Sequence, residues 1–162
     1  MTRFAEPTRL ASPRWQTPFD TLLADEQLIV VSDRAPWSHQ RGIDGVHAVQ
    51  PASGLVSAIE PVMHLGVGTT RTWIAHGSGN ADRELADADD TWQVTRAGRP
   101  GGGYRLRYVW LSAEEERGYR DGAANSGLWP LCHRVHVRPT FADSDWAAYR
   151  RINQRLDRKS VV

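Results

Sequence analysis

The stretch from Leu28 to Glu60 constrains the fold most. An apolar run, Leu28-Ile29-Val30-Val31, ends on Ser32-Asp33-Arg34, and after a loop Ser53-Gly54 opens a new apolar-periodic segment. A short, continuous apolar run bounded by polar residues reads as a buried strand, and the segment after it as a helix. An arginine at a strand's carboxyl end, facing the glycine-started amino end of a helix, suits an anion. Helix amino ends offer unpaired N–H groups and a partial positive charge. Guanidinium adds a planar fork that matches phosphate oxygens. Open α/β sheets gather ligands outside the carboxyl ends of their strands. Arg34 and Gly54 are therefore expected to contact a phosphorylated or nucleotide-bearing small molecule.

The rest of the chain repeats the alternation. Residues 1–26, with Pro7, Pro13 and Pro18 among polar residues, read as a poorly ordered lead-in. Residues 35–52 read as a loop, with a short strand around Val46–Val49. The helix from Ser53 carries Leu55, Ala58, Ile59 and Val62 on one side, and Pro61 should kink or stop it. Thr72-Trp73-Ile74-Ala75 is a second buried strand, ending on the turn His76-Gly77-Ser78-Gly79. Residues 80–90 (Asp82, Glu84, Asp87, Asp89, Asp90) read as an exposed acidic loop. Trp92-Gln93-Val94 suggests a short strand and residues 99–103 a turn. In Tyr104–Trp110, Tyr104, Leu106, Tyr108 and Trp110 alternate with Arg105, Arg107 and Val109, which marks a half-buried strand. Ser112-Ala113-Glu114-Glu115 is a capping box that starts a helix. Asn125-Ser126-Gly127 reads as a tight turn, with a short helix over Ser126–His133. Ser144 opens a last helix with the stripe Trp146, Tyr149, Ile152, Asn153 and Leu156, and its arginines 150, 151, 155 and 158 form a solvated face. Strands alternating with helices give an α/β sandwich of the nucleotide-binding kind.

Composition narrows the function classes. The 162 residues suffice for one domain. A net charge of +1 gives no field for nucleic acid or an acidic membrane. The single cysteine, Cys132, forms no intrachain disulfide and points to a reducing, cytoplasmic setting. No apolar run approaches the roughly 20 residues of a membrane helix, and the amino end has no compact apolar segment of a secretory signal. His133 and His136 lack a third ligand in register, so no metal is expected. The seven tryptophans either wall a sugar site or fill the core.

Five motifs in order, LIVVSDR (28–34), SGLVSAIEPV (53–62), TWIAHGSG (72–79), NSGLWPLCH (125–133) and WAAYRRINQ (146–154), resemble the trehalose-6-phosphate synthases. The resemblance covers Gln27 to Leu156. It implies the Rossmann-like amino-terminal half of a GT-B, retaining glycosyltransferase, here incomplete, with no cofactor. The implied partners are a nucleotide-sugar donor and a sugar-phosphate acceptor, and the implied reaction moves glucose from UDP-glucose to glucose 6-phosphate.

The same resemblance assigns residues. Arg34 matches the arginine on the acceptor's phosphate, and Trp129 matches the tryptophan of the acceptor pocket. Gly54 matches the glycine that approaches the donor diphosphate, preceded here by Ser53, which suits a helix cap. Arg120 stands where the acceptor-site tyrosine is expected, beside Tyr119, and is a candidate second phosphate ligand. His76 replaces a tryptophan, and is open to binding a sugar hydroxyl or diphosphate or to capping a turn. Asp33 replaces an asparagine and puts a carboxylate next to Arg34, able to pair with it and compete with phosphate. Gly54 also has a plain reading, relief of crowding between helix and strand.

Asp157–Val162 (DRKSVV) is expected to be a non-native tail, because that string followed by a stop is one frame of a common sequencing adapter. The catalytic residues are expected in the missing part, so the chain should be inactive alone, with an unpaired sheet edge and an uncovered apolar face. Two alternatives stand beside this reading: a related glycosyltransferase with another phosphorylated acceptor, and a non-catalytic sugar-phosphate-binding module.

Overall fold

The computed structural model describes residues 26–64, 70–95, 102–133 and 136–160. The lead-in and most of the expected turn at 99–103 lie outside the described residues. Three strands, β1 (Gln27–Arg34), β4 (Thr70–His76) and β6 (Gly103–Val109), run parallel, and β5 (Thr91–Thr95) adds an antiparallel edge, in the order β1-β4-β6-β5. Helix α1 (Gly54–Met63) covers one face of this sheet, where Val56 and Met63 join Trp73, Ala75, Tyr104, Leu106 and Tyr108. Helix α5 (Asp143–Ser160) covers the other, where Ile152 and Leu156 meet Ile74, Val109 and Tyr119. The alternation of Trp73/Ile74/Ala75 between the two clusters is the period of a strand buried on both faces.

Several expectations change. Residues 35–52 are not an open loop around one short strand, because β2 (Ser38–Gly42) and β3 (Gly45–Val49) pair as an antiparallel hairpin. Its turn uses Gly45 at φ 116°, a conformation open to glycine. The stripe expected on α1 is displaced: Val56 and Met63 are buried and Leu55 is exposed. Pro61 sits within the helix, which ends two residues later at Met63. Residues 80–90 are not simply an exposed loop, because α2 (Asp82–Leu85) forms there and Asp82 is completely buried.

The capping box forms as expected. Glu115 N donates to Ser112 Oγ at 3.1 Å, and Ser112 N donates to Glu115 Oε2 at 3.0 Å. The helix it starts does not break at Asn125-Ser126-Gly127. Helix α3 (Ala113–Glu116) passes into a wider-wound π stretch, Arg117–Leu128, and then α4 (Trp129–His133). Trp129 N donates five residues back, to Ala124 O. Glycines explain the close approach of α5 here. A β-carbon at Gly122 would lie 2.2 Å from the Asp145 carboxylate, and one at Gly127 2.4 Å from the Phe141 ring, so neighbouring side chains occupy that space. Helix α5 runs on through Asp157 to Ser160, and Lys159 pairs with Asp90. Arg155 is not merely solvated, since it donates to Glu115 and to Trp110 O. No described helix is long and apolar enough to cross a membrane.

Candidate functional site

The parallel strands β1, β4 and β6 deliver Arg34, His76 and Val109 to one edge of the sheet. A register shift between Ser32 and Arg34 leaves Asp33 as the extra residue of β1 and pairs Arg34 with His76. Arg34 is exposed and forms no ion pair among the described residues. The carboxylate expected beside it turns elsewhere. Asp33 takes a two-pronged contact from Arg120, Nε to Oδ2 at 2.8 Å and Nη2 to Oδ1 at 3.1 Å. The sequence-level expectation of an Asp33–Arg34 pair is thus replaced by a long-range one. Guanidinium and carboxylate match in such a fork better than two adjacent side chains can.

Arg120 is held on its other side by Glu116, one helical turn earlier, which also lies 3.6 Å from His76 Nε2. Burial opposes the charge of Arg120, and Asp33 and then Glu116 outweigh it, so its pKa stands above the ordinary arginine value. Two carboxylates already take up its charge, whereas Arg34 has no ion-pair partner among the described residues. His76 is buried and its Nδ1 contacts Val109 O at 3.1 Å, so it ties β4 to β6. Sequence reasoning missed Glu116, although its spacing of four from Arg120 is a helix-pair signal.

Gly54 is the first residue of α1, and a β-carbon there would meet nothing within 4 Å. Relief of crowding is therefore not its role. Ser53 is the N-cap, in extended conformation, with no side-chain capping bond. Among the described residues the Ser53 side chain thus leaves the first N–H groups of α1 without a cap, as an anion site requires. Trp129 is half exposed and stacks on His133 with ring centroids 4.5 Å apart. Tyr119 is not at the surface. It is buried, stacked on Tyr149 at 5.4 Å, and burial with the nearby Asp33 charge pushes its hydroxyl up to about 12.

A cavity of about 530 Å³ opens elsewhere, between the π stretch and α5, lined by Glu114, Asp121, Gly122, Asp145 and Arg151 among others. None of the residues expected at the ligand lines it. No group of three metal-ligating side chains occurs among the described residues.

No protein-family model matches the chain. The trehalose-6-phosphate synthase of Mycobacterium avium is 31% identical over 133 residues, which is 82% of this chain and 25% of that protein. That of Mycobacterium marinum is 30% identical over 136 residues, 83% of this chain and 25% of its own. Among solved structures, trehalose-6-phosphate from E. coli bound with UDP-2-fluoro glucose superimposes with a TM-score of 0.51 at 22% identity, over 83% of this chain and 24% of that one. A second structure, a trehalose-6-phosphate synthase, gives 0.52 at 21%, over 83% and 25%. At these identities the structures share the fold, an α/β sheet of the GT-B class. The chain spans about a quarter of the length of the curated relatives it matches. Motif order, sequence identity over most of the chain and a shared sheet together make it a member of the trehalose-6-phosphate synthase family.

Proposed function

We propose that the segment from Gln27 to Leu156 is part of the acceptor-binding half of a retaining glycosyltransferase. The whole protein transfers glucose from UDP-glucose to glucose 6-phosphate in the cytoplasm, and this chain alone is inactive. The observation that carries the reading is the pairing at the sheet edge. Arg34 is exposed and unpaired among the described residues, because Asp33 is engaged by Arg120. Arg34 is the phosphate ligand, and the uncapped amino end of α1 at Ser53 and Gly54 faces the donor diphosphate. Trp129, half exposed on α4, walls the acceptor sugar. The chain's own contribution to the reaction is positioning and electrostatic stabilisation of the phosphates.

A titration of the chain with glucose 6-phosphate, followed calorimetrically, tests this. Arg34→Ala should weaken binding by roughly 1.5–3 kcal/mol, about ten- to a hundredfold. Equal affinity of the two proteins would refute the assignment. A second reading, with a different phosphorylated acceptor, has its own support. Arg120 and His76 stand where the family resemblance expects a tyrosine and a tryptophan, and both lie within 4 Å of Glu116, with Arg120 also paired to Asp33. Titrating glycerol 3-phosphate and a cyclitol phosphate in parallel separates the two.

A further inference from the structure

His76 ends β4 beside Arg34, its register partner on β1. Its ring spends one nitrogen on the fold. Nδ1 lies 3.1 Å from Val109 O, and a carbonyl oxygen only accepts, so the proton of that bond sits on Nδ1. In the neutral ring this leaves Nε2 as a bare acceptor. What Nε2 faces is a second acceptor, Glu116 Oε2 at 3.6 Å, beyond hydrogen-bond range. The other oxygen of that carboxylate, Oε1, accepts from Arg120 Nη1, which fixes its direction. Among the described residues Nε2 has no hydrogen-bond partner, although the His76 side chain is only 7% exposed. The Glu116 side chain is 33% exposed, so the pair is open to a ligand from that side.

Two acceptors this close are satisfied together by donors placed against both. Diphosphate oxygens bring no donor and would meet a carboxylate. Sugar hydroxyls bring donors: adjacent ring hydroxyls hold their oxygens about 2.8 Å apart, near a hydrogen-bonding distance, and give one O–H to each acceptor. From this arrangement we infer that His76 Nε2 and Glu116 Oε2 form a hydroxyl-reading subsite, which takes O–H groups of the sugar whose phosphate rests on Arg34. Neighbouring strands run about 4.8 Å apart, so two residues in register lie within reach of one small ligand. The inference rests on the reading of Arg34 as the acceptor's phosphate ligand. It assigns His76 to the acceptor's hydroxyls and not to the donor's diphosphate, and it gives Glu116 a part in recognition.

The test is a set of calorimetric titrations of the full chain at about pH 8, above the ordinary imidazole range. The probes are glucose 6-phosphate and methyl phosphate, a phosphate monoester without hydroxyls. The unsubstituted chain should bind glucose 6-phosphate at least about tenfold more tightly than methyl phosphate, the worth of one or two hydrogen bonds. His76→Asn keeps a donor where Nδ1 stands and removes Nε2. It should lose about tenfold for glucose 6-phosphate and leave methyl phosphate unchanged, whereas Arg34→Ala should weaken both. A purely structural His76 would move the two ligands alike. Glu116→Gln keeps an acceptor for Arg120 and turns an amide N–H toward His76 Nε2, which closes the subsite from within. It should reproduce the selective loss with the bond to Val109 intact, so the test stands even if His76→Asn folds poorly. Equal affinity of the unsubstituted chain for the two probes, equal losses for both in the variants, or a His76→Asn loss confined to UDP would overturn the inference and leave Arg34 as a phosphate ligand. No binding of either probe by the unsubstituted chain would overturn the reading of Arg34, and this inference with it.

Discussion

Replacing Asp82 is the sharpest probe of how this sheet edge is held together. Its carboxylate is completely buried and accepts three hydrogen bonds, from His39 N at 2.6 Å, His39 Nδ1 at 2.9 Å and Gly79 N at 2.6 Å. These bonds fasten the β2 strand to the turn that follows β4, and Ala81 N adds a fourth link to His39 O at 3.0 Å. Asp82→Ala removes the acceptor and leaves three donors facing a dry space. An unsatisfied buried donor costs about 1–3 kcal/mol. Local relaxation reduces the simple sum, so we expect a loss of about 3–5 kcal/mol, a large share of the roughly 5–15 kcal/mol that stabilises a domain. Asp82→Asn keeps one acceptor oxygen and turns an N–H₂ toward the remaining donors, which should cost about 2 kcal/mol. Urea unfolding monitored by tryptophan fluorescence measures both, and Trp92, whose ring centroid is 4.3 Å from that of His39, reports on the site itself. A loss below about 1 kcal/mol for the alanine variant, or an asparagine variant no better than alanine, would refute the argument that satisfied donors carry this anchor.

Other substitutions separate space from function. Gly79→Ala places a β-carbon 2.5 Å from His39 O and 2.6 Å from His39 N, both backbone, and should cost about 2–3 kcal/mol in thermal or urea unfolding. Gly54→Ala meets open space and should leave stability unchanged or raise it by up to about 1 kcal/mol in urea unfolding. Ser112→Ala removes one half of the capping box and should lower stability by about 1 kcal/mol in urea unfolding. The acid arm of a stability profile follows from depressed carboxylates. Hydrogen bonds from Arg155, then from Ser112 N, hold Glu115 below its ordinary value, and Asp90 stays low because Lys159 and Trp110 outweigh its burial. Their folded pKa values lie below the unfolded ones, so the stability they add is present above about pH 4.5 and is lost as pH falls through the folded values. At the other end, burial lifts Tyr104 and Tyr108 well above 10.0, so the folded state keeps protons that the unfolded chain releases and stability declines as pH rises past that point. Urea midpoints taken across both arms check the two signs.

The parallel strands were legible because an apolar run ending in a polar turn has few other uses, and β1, β4 and β6 lie where LIVV, TWIA and the Tyr104–Tyr108 alternation put them. The capping box was legible for the same local reason, since its partners are three residues apart. The candidate ligand residues Arg34 and Gly54 also followed from the sequence, as a strand end and a helix start. What could not be read were the pairings made across long separations. Asp33 looked like a partner for its neighbour, yet it is taken by Arg120, 87 positions on. Asp82 looked like one charge in a solvated acidic run, yet it is buried under a hairpin from 43 positions earlier. The π stretch was hidden because a glycine-rich segment carries turn signals, whereas in the fold α5 packs against Gly118 and Gly122 and Phe141 against Gly127. Sequence by itself determined the parallel strands and the capped helix start at Ser112, because those choices follow from neighbours along the chain. Which charges stay free for a ligand was decided only by the tertiary structure, because a carboxylate's partner is set by the distance the fold brings it to and not by its place in the chain.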